Sequence, residues 1–70
     1  MTRDEWIGVF ASKLGESAPS AEEVDAILDL AAVAAHASER TAAPVACWVA
    51  GRSDRPLSEL IKLAKEIEAS

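Results

Sequence analysis

Asp29, His36 and Arg40 stand at i, i+7 and i+11 of an alanine-rich run with helical patterning. These spacings project all three side chains toward one side of a helix. An aspartate there could orient an imidazole as a general base, or the imidazole and guanidinium could hold an anion. Either chemistry needs a nucleophile or a substrate pocket within reach. The strong candidate nucleophile is Cys47, set inside the apolar run Val45-Ala46-Cys47-Trp48-Val49. Apolar surroundings raise a thiol's pKa and hide it, so Cys47 reads as a small buried hydrophobe. A lone histidine with the carboxylates of Asp25 and Asp29 falls short of the ligand count of a zinc or iron site. The expectation is a chain with no catalytic residue, no metal and no cofactor, and therefore not an enzyme.

The same residues have a structural reading. His36 and Arg40 fall in the last turns of the run, where cationic groups favour the exposed carbonyls by about 0.3–1 kcal/mol. Arg40 is also placed to reach those carbonyls, or an acid such as Glu39 or Asp54. Pro44 follows four residues later, so the stretch reads as a lock on the corner between two helices. Trp48 is either core or an interface anchor. His36, Arg40, Pro44 and Trp48 are the candidate partner- or ligand-binding residues. The alternative reading is an anion or nucleotide-type ligand held by His36, Arg40 and Arg52.

Four short helices must position them, over about 3–14, 21–39, 42–50 and 56–68. Thr2 with Glu5, and Ser20 with Glu23, have capping-box spacing. Met1 and Trp6 are placed for a hydrophobic staple, and Gly15 for a left-handed stop. The first helix carries Trp6, Val9, Phe10, the Lys13 stem and Leu14 as its apolar stripe. The second has a main face of Val24, Ile27, Leu28, Ala31, Ala34 or Ala35 and Ser38, with Leu30, Val33 and Ala37 as a second strip. A helix apolar on two sides belongs at the centre. Thr41 is the expected N-cap of the third helix, with Pro44 in its first turn, Val45, Trp48 and Val49 inward, and Gly51 at its end. The fourth is capped by Ser53 or Asp54 and presents Leu57, Leu60, Ile61, Ala64 and Ile67.

The whole is an all-α compact bundle of four short helices in a single domain. Half of the 70 residues are hydrophobic, yet fifteen of those are alanines, leaving a thin core. Thin cores favour an oligomer interface, so a homo-oligomer is expected, with at least one tryptophan partly exposed unless a partner covers it. The net charge of −5 is concentrated in residues 1–39 at −6, against +1 over residues 40–70. An acidic body excludes general nucleic-acid binding. One cysteine allows no intrachain disulfide. No apolar run approaches a signal or membrane-spanning form, so a soluble cytoplasmic protein without membrane contact is expected.

The strings Ile27-Leu28-Asp29-Leu30-Ala31, His36-x-x-x-Arg40-x-Ala42-Ala43-Pro44 and Val49-Ala50-Gly51 occur together with Asp4-Glu5-Trp6 and Leu14-Gly15. Over residues 4–52 they resemble a small bacterial family of uncharacterised function. Its members are short free-standing proteins, and they also look like the C-terminal appendage of some molybdenum cofactor guanylyltransferases. Two departures stand out. Arg52-Ser53-Asp54-Arg55-Pro56 replaces a glycine-rich link, and Cys47-Trp48 replaces a bulky aliphatic residue or phenylalanine. The resemblance implies an accessory role in molybdenum cofactor maturation, with a guanylyltransferase or molybdoenzyme as protein partner. It supplies no catalytic residue.

Overall fold

Thr2 and Ser20 begin helices by the same reciprocal exchange. Thr2 Oγ1 accepts from the Glu5 N–H at 3.1 Å, and Glu5 Oε1 accepts from the Thr2 N–H at 3.0 Å. Ser20 and Glu23 repeat the pattern at 3.1 and 2.8 Å. Each exchange satisfies N–H groups that a helix start leaves without partners. In the computed structural model, which describes residues 1–69, these boxes open α1 (Arg3–Leu14) and α2 (Ala21–Ala37). They are followed by α3 (Ala42–Gly51) and α4 (Leu57–Ala69). The described residues contain no strand, and the fold is the expected small all-α bundle.

The ends of the helices show where local signals hold and where they yield. Gly15 adopts φ 72°, and the Gly15 and Glu16 N–H groups bond to the Ser12 and Ala11 carbonyls at 3.1 and 2.9 Å, closing α1 as expected. The second helix ends at Ala37, short of residue 39, because Ser38 leaves helical geometry (φ −139°, ψ −94°). Its hydroxyl and its N–H both bond to the Ala34 carbonyl, at 3.0 and 3.2 Å. Serine competes in this way with helix propagation.

Thr41 precedes α3 without a side-chain cap, and its hydroxyl instead donates to Glu39 Oε2 at 3.4 Å. Pro44 does sit in the first turn of α3. Gly51 is the last residue of α3 and no left-handed stop; among the described residues Gly15 alone has positive φ. Neither Ser53 nor Asp54 caps α4. The Pro56 carbonyl accepts from the Glu59 and Leu60 N–H groups, so the helix opens on Pro56, while Ser53 Oγ takes the Arg55 N–H in a turn upstream.

As expected of a helix apolar on two sides, α2 packs against both α3 and α4. Its buried residue is Leu30, at 5% exposure, from the second strip; Leu28 of the expected main face is half-exposed. The third helix is turned round relative to expectation. Ala42, Ala43, Ala46, Cys47 and Ala50 are partly buried, whereas Val45, Trp48 and Val49 are 62%, 65% and 57% exposed. Alanines let two helix backbones approach closely, and bulky side chains on the same face would hold them apart.

The first helix also turns its large side chains outward, but it packs only loosely on the other helices. Ala11 is buried and Ile7 half-buried, while Trp6, Val9, Phe10 and Leu14 face outward. Arg3, Asp4 and Ile7 share a cleft with Ala18, Pro19 and Val24, placing the early turns of α1 beside the start of α2. Met1 stays exposed, so no staple closes on Trp6, which stacks on Phe10 at 5.2 Å between ring centroids.

Candidate interaction surface

His36, Arg40, Pro44 and Trp48 are all solvent-exposed, and they occupy the end of α2, the corner and the outer side of α3. His36 lies in the last turn of α2, where a cation complements the helix dipole. Asp29 shares its side of the helix but lies seven residues away. At 1.5 Å per residue that is about 10 Å along the axis, too far for one side chain to orient the other directly.

Arg40 falls beyond the end of α2, in the turn, and so leaves the helical register that grouped it with Asp29 and His36. No ion pair joins it to Glu39 or Asp54 among the described residues. The corner is closed by other groups. The Ala42 and Ala43 N–H groups bond to the Glu39 and Arg40 carbonyls at 2.9 and 3.3 Å, and Ser38 holds Ala34. The lock is therefore made of backbone and a serine, which leaves the Arg40 guanidinium unused by the fold.

Pro44 and Trp48 are one turn apart on α3, and Arg52 lies one turn further on. The Arg52 guanidinium sits over the Trp48 ring, 4.7 Å from its centroid. A cation over an indole at an exposed site is worth about 0.5–1 kcal/mol and fixes the ring's orientation. Val45 and Val49 flank this row, so the outer face of α3 is a continuous apolar strip ending in a positive charge. The i, i+4 spacing of Trp48 and Arg52 carried the signal for this pairing. Arg40 and Arg52 lie at opposite ends of α3, whose ten residues span about 15 Å. They do not converge on a single phosphate.

Cys47 faces the other way. Its thiol donates to the Ile27 carbonyl at 3.9 Å, and burial pushes its pKa up. A thiol kept protonated and engaged with backbone is a poor nucleophile. It lines a cleft of about 400 Å³ between α2, α3 and α4 with Ile27, Leu30, Leu57 and Leu60. Arg55, at the rim, is paired with Glu59 at 3.3 Å. Among the described residues, no three histidine, cysteine or acidic side chains gather as a metal site. No helix among them is long and apolar enough to cross a membrane.

Comparison with the curated proteins and with the solved structures finds no match. A family model described as a domain of unknown function matches residues 1–67, which take in α1, α2, α3 and most of α4. The chain belongs to that family, DUF6457.

Proposed function

We propose that this chain is a non-enzymatic interaction module that docks a protein partner through the outer face of α3 and the adjoining α2–α3 corner. The observation that carries the reading is the orientation of α3. Its alanines and Cys47 turn inward, while Val45, Trp48 and Val49 face solvent. A row of large apolar groups left in solvent adds nothing to the stability of a chain with so few of them, and such a row marks an interaction surface. An aromatic anchor with an adjacent guanidinium is the usual composition of an interface centre. Arg40 and His36 rim the row with side chains that no hydrogen bond or ion pair among the described residues engages.

The resemblance to the appendage of molybdenum cofactor guanylyltransferases supplies the partner: a guanylyltransferase of that kind, or the molybdoenzyme it serves. The module would then tether or orient the larger protein in the cytoplasm. Purified guanylyltransferase and this chain should form a complex in a titration followed by tryptophan fluorescence. Trp48→Ala should weaken it by more than about tenfold while leaving the helical circular dichroism intact. If Arg40→Ala leaves partner binding unchanged, the corner has no part in the interface. Wild-type affinity in Trp48→Ala would remove the α3 face as the docking surface.

A further inference from the structure

We propose that the outer face of α1, a surface separate from the α3 face, is covered by a second copy of this chain, the two α1 helices packing antiparallel about a two-fold axis at Val9. Three observations support this. The first is area. The chain exposes 5491 Å². A folded monomer of 7.4 kDa is expected to expose only about 4,200 Å². The excess of about 1,300 Å² is more than the roughly 800 Å² that a standard interface removes from each partner. It is enough for a second copy at α1 and a further contact elsewhere. The radius of gyration, 12.8 Å, likewise exceeds the roughly 11 Å of a compact chain this long.

The second is the direction in which α1 presents its large side chains. On a helix with 3.6 residues per turn, Val9 points away from buried Ala11 and half-buried Ile7. Trp6, Phe10 and Lys13 lie to one side of Val9, and Glu5 and Ser12 to the other. A shallow depression lined by Met1, Glu5, Gly8, Val9, Ser12 and Lys13 occupies this outer surface.

The third is self-complementarity. A two-fold axis at the level of Val9 sets each residue beside the one whose number completes the same sum. Glu5 of one copy then shares a level with Lys13 of the other, and the acidic first turn meets the basic last turn. Trp6 and Phe10 of both copies then lie on the same side of the seam, where the rings of one copy pack against those of the other. Paired antiparallel, the two helix dipoles also oppose favourably. A parallel pairing would instead stack Asp4 and Glu5 on their own copies.

Multi-angle light scattering over a micromolar dilution series should give twice the 7.4 kDa chain mass at the upper end. Val9→Glu places like charges at the axis and should raise the dissociation constant by at least about tenfold, with helicity retained. Lys13→Glu should weaken the dimer in the same sense. If a variant loses helicity, proximity decides: in a Cys47→Ala background, Val9→Cys should form an interchain disulfide under mild oxidation, and Glu16→Cys should not. A wild-type chain that stays monomeric throughout the series overturns the proposal. So does a dimer that Val9→Glu leaves intact, or a Val9→Cys chain that does not cross-link. Binding at the α3 face is read by Trp48→Ala, so either proposal can fail without the other.

Discussion

At the scale of single residues, Cys47 shows how an apparent reactive group becomes structural. Its thiol sits in the seam between α2 and α3 and donates to the Ile27 carbonyl, and burial makes ionisation harder. The sign of the pH effect follows. With the folded pKa above the unfolded one, the fold favours the protonated thiol, and that contribution is fully present below the ordinary thiol pKa. It is lost as pH rises through the folded value. Two outcomes are expected. A thiol reagent at neutral pH should modify Cys47 more slowly in the folded chain than in denaturant. The melting temperature should fall across the alkaline range above the ordinary thiol value, and Cys47→Ala should flatten that fall. Equal labelling rates in the folded and denatured chain would show that the seam does not hold the sulfur. His36 and Arg40 present the opposite case: they are conspicuous in the sequence, yet no hydrogen bond or ion pair among the described residues engages their side chains, which keeps them available to a partner.

Among the elements, the two capping boxes are chemically alike but support helices of unequal standing. Ser20 starts α2, on which α3 and α4 both pack, so fraying there loosens the whole bundle. Ser20→Ala should remove about 1 kcal/mol of global stability in a denaturant titration. Thr2→Ala removes the Oγ1 that accepts from the Glu5 N–H while keeping the backbone N–H that holds the Glu5 carboxylate, and should speed amide exchange in α1 with less effect on the global midpoint. A larger midpoint shift from Thr2→Ala than from Ser20→Ala would contradict this ranking. The same contrast explains what was legible in the sequence. The capping boxes of α1 and α2, the Gly15 stop and the existence of four helices depend on neighbours within four residues and are legible, as is the central place of α2 from its two apolar strips; the caps expected of α3 and α4 are not what the fold uses. The facing of α1 and α3 is not legible. Both carry a bulky stripe and a small-residue stripe, and periodicity marks the bulky one as core. Close packing of α3 on α2 reverses the choice at Ala46, through contacts made far along the chain, whereas α1 packs only loosely on the other helices and leaves its bulky stripe outside. The corner obeys a local competition instead: Ser38 ends α2 early and moves Arg40 out of the stripe that groups it with His36 in the sequence.

For the whole molecule, the outward bulky stripes make stability and assembly one problem. A chain of this length has only about 4–10 kcal/mol of net stability to expect, and Leu30 is the one large side chain brought below a tenth exposed among the described residues. Covering Trp6, Val9 and Phe10 would add apolar burial that the single protomer lacks, at about 25 cal/mol per Å² before the cost of association. If a second copy supplies that cover, folding is linked to concentration, because mass action favours the folded dimer over two unfolded chains. The melting temperature should then climb steadily as the protein is concentrated from micromolar to hundreds of micromolar. Val9→Glu should lower it at high concentration and abolish the dependence, leaving the curve of the isolated protomer. Trp48→Ala should keep the dependence, since the α3 face lies outside the two-fold contact. A melting temperature independent of concentration in the wild type would mean that the protomer is stable on Leu30, its alanine seams and its caps alone, with both bulky stripes left to other partners.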